Sequence, residues 1–247
     1  MVNGTPGVTV CAVAPAGVDL SAQTRAPDAV VAIPMDRTAL SQAVAAAAGA
    51  GDATWLWLLD AGVDPAPDAL QELLEPLGEL AALGDPPLLA GKVTGGDGHL
   101  DRSLPPWPRL LAREVAITGA EHRLAALRAA RYGSLLVDRR AVQRHGPPRV
   151  DFAGAGDDLE WTGRILRDDP GFLVPRSVAV RRCDPATDAA AFTRNRVRIL
   201  RGEGWQGQEK AWFAFLLAQD TAGALVARPA RLAGLLGAVV AGLRAPV

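Results

Sequence analysis

The run Trp55-Leu56-Trp57-Leu58-Leu59-Asp60-Ala61-Gly62-Val63-Asp64-Pro65 decides how the rest of the chain is read. Five apolar residues follow one another with no helical period, the pattern of a strand buried on both faces. The run stops in an acidic, glycine-containing turn, and the carboxyl ends of strands are where open α/β sheets place their ligands. Pro65-Ala66-Pro67-Asp68 then opens a helix with apolar positions at Leu70, Leu73, Leu74 and Leu77. The stretch predicts a strand that delivers Asp60 and Asp64 to its own end, a place suited to a metal ion or a phosphate. A solvated strand-end turn accounts for the two carboxylates equally well.

Upstream, Gly7–Ala14 reads as a first buried strand ending at Pro15-Ala16-Gly17, residues 18–25 as a short helix, Ala29–Ile33 as a second strand and Thr38–Ala48 as a helix. Downstream, the helix from Asp68 runs to about Leu83, Leu88–Val93 is a further strand, and Thr94–Gly98 is its turn. Strand–helix alternation of this kind argues for a mostly parallel sheet with helices on both faces. Leu104-Pro105-Pro106-Trp107-Pro108 is expected to be a loop, since proline cannot donate to a ladder. Ser134–Val137 is a short strand, Arg139–Arg144 a helix, Val150–Gly156 an extended approach to a helix over Asp158–Arg167, and Phe172–Pro175 and Val178–Val180 the last strands. Residues 190–201 and 209–244 read as helices, the latter broken at Pro229. The simplest organisation is one α/β domain over residues 1–191 with a helical C-terminal extension over 192–247.

At 247 residues, 49% hydrophobic and 21% charged, the chain has the means to bury a large core. Its net charge of −1 gives no reason to expect nucleic acid. The charge is uneven: residues 192–247 hold eight basic against three acidic side chains. A basic, apolar tail leaves open a peripheral contact with an anionic membrane, and packing onto the preceding domain or a second protomer is the more common fate of such helices. Cys11 and Cys183 match no metal spacing and read as reduced thiols of a cytoplasmic protein. The first residues show no secretory pattern, and the longest apolar run of the tail, Leu232–Leu243, is shorter than the roughly 20 residues needed to span a bilayer. His99, His122 and His145 have no partner spacing.

A second acidic cluster, Asp157-Asp158 with Glu160, lies where the extended segment meets its helix. It suits a helix N-terminus, whose dipole favours carboxylates, or a general base across a cleft from a sugar-phosphate. Order and spacing add a resemblance. Trp55–Leu70 resembles the strand, Asp-x-Asp turn and Pro-x-Pro-Asp-Ala-Leu helix start of the inverting glycosyltransferases of family 2, especially the bacterial rhamnosyl- and galactofuranosyl-transferase type. Leu88–Gly98, Tyr132–Val142 and Asp151–Arg164 are similar to its next strand and glycine turn, its Gly-x-x-x-x-x-Arg-Arg strand and helix, and the acidic segment carrying its base. Phe192-Thr193-Arg194-Asn195-Arg196 resembles the aromatic-x-Arg-Asn pattern that follows the catalytic domain, and Gln23–Val31 the segment leading into strand two. The resemblance spans residues 7–200. It implies a GT-A-like nucleotide-diphospho-sugar fold, a nucleotide-sugar donor, a glycan or lipid-linked acceptor of cell-envelope polysaccharide, and inverting transfer. It implies Asp158 as catalytic base with Asp157 beside it, and Asp60 at the donor phosphates, where the family places Mg²⁺ or Mn²⁺.

The chain departs from the pattern where metal and nucleotide bind. The second aspartate of Asp-x-Asp falls on Gly62, and Asp64 lies two residues further on. A histidine often found after the last strands corresponds to Arg181, followed by Arg182. Ala14–Gly17 replaces the Tyr-Asn loop of strand one, Ile33–Arg37 is a reduced nucleotide loop, and the Asn-rich loop before Trp55 is shortened. Three accounts follow: a metal-free transferase in which Arg181 or Arg182 offsets the diphosphate charge, a catalytically inactive binding or scaffold subunit for a glycosyltransferase complex, or an architectural likeness with another ligand. Paired surface arginines beside a strand are the plain structural account of Arg181 and Arg182.

Overall fold

The computed structural model describes residues 8–34, 37–81, 84–101, 106–109, 112–152, 155–182, 188–227 and 232–245. Cys183, Met35 and Asp36 lie outside them. The described residues form a nine-stranded mixed sheet from β1 (Val10–Pro15), β2 (Ala29–Ile33), β3 (Trp55–Leu59), β4 (Val63–Pro65), β5 (Leu88–Thr94), β6 (Trp107–Pro108), β7 (Ala125–Ala129), β8 (Ser134–Asp138) and β9 (Gly171–Arg181). The order is β2-β1-β3-β8-β5-β9-β7-β6, with β4 paired to β9. The pairings β1–β2, β1–β3 and β5–β9 are parallel. Strand β8 runs against its neighbours β3 and β5, and β4 and β7 run against β9, so six of the nine strands share one direction.

The uninterrupted apolar run of β3 follows from its central place. Successive strand side chains point to opposite faces, and here both faces are covered. Leu56 and Leu58 pack with Val13 of β1, Leu40 and Val44 of α1 (Arg37–Ala50), Val142 of α4 (Arg139–His145) and Trp161 and Ile165 of α5 (Asp157–Ile165). Trp55, Trp57 and Leu59 pack on the other side with Leu70, Leu73, Leu77 and Leu80 of α2 (Ala69–Leu80). Trp57 keeps its indole N–H satisfied inside this core by donating to Ser134 Oγ at 3.0 Å.

Residues 18–25 form turns, not the expected helix. Asp19 accepts from Ser21 N–H at 2.9 Å, a local bond that competes with helical pairing, and the buried Gln23 donates to Ala66 O at 2.8 Å, pinning the segment to the start of α2. The two last strands expected from the sequence are one, β9, whose register against β5 jumps at Pro175–Ser177. Proline has no N–H for the ladder, and Ser177 turns its hydroxyl to Ala69 O at 2.8 Å. Trp107–Pro108, expected to be loop, pairs with β7. The helix α3 (Arg113–Glu121) and strand β7 had no counterpart in the sequence reading.

After β9 come α6 (Ala189–Arg201), α7 (Gly207–Ala227) and α8 (Leu232–Arg244). Asp188 caps α6 by accepting from Ala190 and Ala191 N–H. Arg201 ties α8 back to α6 through Gly242 O and Ala245 O. Trp205 and Phe213 pack with Trp107, while Trp212 and Phe215 stack on each other in solvent. No described helix is long and apolar enough to cross a membrane.

Candidate active site

The carboxyl ends of β3, β5 and β9 and the amino end of β8 meet at one edge of the sheet. Asp60 follows β3 directly, and its N–H donates to Gly133 O at 3.1 Å. Gly62 sits at φ +72°, the left-handed region that glycine enters without strain. This is the physical content of the missing second aspartate: the backbone turns back at Gly62 so that β4 can pair with β9. Val63 is then opposite Arg181 and Asp64 opposite Val180, and Arg182 N–H donates to Gly62 O at 2.8 Å. The sequence candidates Asp60, Asp64, Arg181 and Arg182 are thereby brought together.

Arg181 is not a surface arginine, its side chain being 4% exposed. Its Nε lies 2.5 Å from Asp101 Oδ2 and its Nη2 3.7 Å from Asp60 Oδ2. Asp64 pairs with the exposed Arg182. Asp101 escaped the sequence reading. It stands beyond the Gly95–His99 turn, held by its N–H to Val93 O at 3.0 Å, and 80 positions separate it from Arg181, so no spacing could reveal the pair.

The second cluster opens α5. Gly156, at φ +87°, turns the chain into the helix. Asp157 and Asp158 are both buried in its first turn. Asp158 Oδ1 accepts from Leu159 N–H at 2.9 Å, and Oδ2 accepts from Arg131 Nε at 2.5 Å and from Tyr132 N–H at 3.3 Å. Thr162, one turn on, exchanges hydrogen bonds with Ala130 through its hydroxyl. The segment Ala130–Gly133 thus touches Asp158 through Tyr132 and Asp60 through Gly133, which places both acidic clusters at the same edge. Arg131 was missed, although it immediately precedes the Tyr132-Gly133 motif.

The aromatic-x-Arg-Asn segment lies against this cluster. Arg131 and Arg196 stack on the Phe192 ring at 5.2 and 4.2 Å. Asn195, with no exposed surface, donates to Phe152 O at 2.8 Å and Ala155 O at 2.7 Å, fixing the backbone that leads into Asp157. Asn195→Ala leaves the buried Phe152 carbonyl and the half-buried Ala155 carbonyl without this donor, and about 1–3 kcal/mol of unfolding free energy is expected to be lost in urea titration.

A divalent cation, which the resemblance implies, needs several oxygen ligands. Among the described residues no group of three or more Asp, Glu, His or Cys side chains is arranged to hold one. Gly62 offers no ligand atom, and the guanidinium of Arg181 reaches towards Asp60 from the direction of β9. These residues do not fit a divalent cation. A cleft of about 540 Å³ at the opposite end of β3 involves Asp138 and Arg140; there Asp138 caps α4 through Arg140 N–H at 2.6 Å and holds the same residue's guanidinium at 2.7 Å, a structural knot.

The architecture is that of the GT-A-like glycosyltransferase fold. Among solved structures the chain is similar to S. aureus TarS, with a TM-score of 0.50 and 10% identity over 84% of this chain and 42% of that one. It is also similar to GalNAc-T7 crystallised with UDP, GalNAc and Mn²⁺, with a TM-score of 0.47 and 17% identity over 70% and 36% of the two chains. The chain thus spans less than half the length of either structure. No family model matches it, and no curated protein does.

Proposed function

We propose that the chain is a glycosyltransferase that moves a sugar, with inversion and without a resident metal, from a nucleotide-sugar to a glycan or lipid-linked acceptor in cell-envelope polysaccharide assembly. The observation that carries this reading is the convergence of Asp60, Arg181 and the Asp157–Asp158 pair at the sheet edge where such folds bind their donor. Arg181 faces the donor diphosphate and offsets the charge that builds on the leaving group, a task the planar guanidinium performs well. Asp60 orients Arg181, Asp64 and Arg182 flank it, and Asp158 removes the acceptor proton beside Asp157. The catalytic domain is residues 1–191. The extension proposed from residue 192 opens within α6, and its exposed Trp212, Phe215, Leu236, Val240 and Leu243 suit a peripheral contact.

Purified protein should bind at least one member of a panel of uridine, guanosine, adenosine, cytidine and thymidine diphospho-sugars, and EDTA should change turnover by less than about twofold. Failure to bind or hydrolyse any of them would end the enzyme reading, and strong chelator inhibition would end its metal-free part. One observation favours the second reading, a catalytically silent binding or scaffold subunit. Both oxygens of Asp158 are already engaged, by Leu159 N–H on one side and Arg131 and Tyr132 on the other.

A further inference from the structure

We infer that Lys92 is the acceptor-binding cation of this edge, and that the acceptor carries an anionic group, a diphosphate or a carboxylate, beside its reacting sugar. The inference rests on the transferase reading above and narrows the acceptor class. Successive residues of β5 point to opposite faces of the sheet. Ala90 packs in the cluster that holds Tyr132 and Trp161, whereas Val93 packs with Val63 and Ala179 on the other face. Lys92 therefore projects on the face of Ala90, two residues nearer the carboxyl end of the strand. The antiparallel register pairs Ala90 with Leu135. Continued by two residues, it sets Lys92 level with Gly133, next to the Tyr132 N–H that Asp158 accepts. Arg181 stands directly opposite Val63 in the β4–β9 ladder and so shares the other face. The charges of the edge are thus divided, with Arg181 on one face and Lys92 and Asp158 on the other.

Lys92 is half-buried, and among the described residues it makes no hydrogen bond or ion pair. The arginines of the edge are engaged: Arg181 by Asp101 and Asp60, Arg182 by Asp64 and Arg131 by Asp158. An anion that recruits one of them competes with a carboxylate already in place, whereas an anion that meets Lys92 competes only with solvent. In inverting transfer the attacking hydroxyl and the leaving group stand on opposite faces of the sugar. With the diphosphate at Arg181 and the base at Asp158, the groups that share a face with the base meet the acceptor. A lysine suits this place, because a compact ammonium on a flexible stem follows a phosphate or a carboxylate without the fixed fork of a guanidinium. A neutral glycan has no charge to offer it.

Titration calorimetry tests this on protein saturated with the nucleoside diphosphate of whichever donor it binds. The probes are three derivatives of one sugar: its prenyl diphosphate, its octyl glycoside and the octyl glycoside of the matching uronic acid. Wild-type protein is expected to bind one of the two anionic probes at least about tenfold more tightly than the neutral one. The tighter of the two identifies the anion. Lys92→Gln should weaken that probe by about ten- to hundredfold and leave the octyl glycoside and the nucleoside diphosphate within about twofold. A merely structural lysine would weaken charged and neutral probes alike. Lys92→Arg should keep most of the preference. If wild-type protein binds the three probes equally or binds none, or if Lys92→Gln keeps the preference, the inference is wrong and the transferase reading stands. Weakened nucleoside diphosphate binding in Lys92→Gln would give the lysine to the donor and overturn the inference as well. If wild-type protein binds no nucleotide-sugar or nucleoside diphosphate, the transferase reading falls and the inference with it. Lys92→Met keeps the apolar stem and serves as the second uncharged variant. Loss of fold in both, by circular dichroism, would make Lys92 structural and overturn its assignment to the acceptor.

Discussion

Arg181→Ala is expected to unfold at much lower denaturant than the wild type, with about 3–5 kcal/mol of stability lost, and to bind no nucleoside diphosphate. The magnitude follows from what the substitution leaves behind. Removing one partner of a buried ion pair strands the others, and the desolvation cost of the stranded charges then stands uncompensated. Here two carboxylates, Asp60 and Asp101, lose the same guanidinium. Arg181→Lys should recover part of the stability, because it restores the charge, but not the binding, because an ammonium lacks the planar fork. The alanine variant carries a second consequence. Asp60 and Asp101 would border the space the guanidinium leaves, and carboxylate oxygens about a small void are the donors that a divalent cation takes. Stability regained by Arg181→Ala, but not by wild type, on addition of Mn²⁺ would show that the guanidinium occupies the place of a metal. A variant as stable as wild type would show that the three side chains are not coupled.

The strands at the centre were legible because burial on both faces leaves the sequence no freedom. β1, β3 and β5 are covered from both sides, and their near-continuous apolar runs state it directly. The start of α2 was legible for a similar reason, since its apolar spacing is that of a helix with one buried face. β7 was not. Ala125-Ala126-Leu127-Arg128-Ala129 contains good helix formers and an arginine, which reads as a surface helix or nothing. Its conformation is imposed by pairing with β9, and Arg128 is buried at 2% exposure because Glu209 and Gly163 O receive its guanidinium at 2.6 and 2.7 Å. Those partners lie in α7 and α5, far along the chain.

The site divides in the same way. Asp60, Gly62 and the Asp157–Asp158 pair could be read locally, as a strand end, a glycine-containing turn and a helix start. Which charges face them could not be read from spacing: the resemblance alone put Arg181 near Asp60, the β4–β9 pairing is what brings it there, and Arg131 reaches Asp158 through the segment before β8. Local reading finds acids at element ends; tertiary pairing decides whether they await a cation or already hold one. That distinction separates an Asp-x-Asp metal turn from the Asp60–Gly62 turn of this chain.

Asp158→Asn discriminates between the enzyme and the silent subunit, and the enzyme reading requires a large effect. A carboxylate that removes the acceptor proton supplies about 10²–10⁴ in rate, so turnover on any active donor–acceptor pair should fall by that factor. Donor affinity should stay within about twofold, since the residue acts on the acceptor and not on the diphosphate. The substitution also takes the anion from Arg131, whose side chain is 15% exposed, and about 3 kcal/mol of stability should go with it. Arg131→Gln provides the control, because it breaks the same pair and leaves the carboxylate in place. Turnover lost in Asp158→Asn and retained in Arg131→Gln, at matched stability, assigns the proton to Asp158. Equal loss in both variants, or none in either, would make the carboxylate a structural knot between α5 and the segment before β8. The silent-subunit reading would then be the one to pursue, through a glycosyltransferase that copurifies with wild-type protein and is lost when the exposed faces of α7 and α8 are altered.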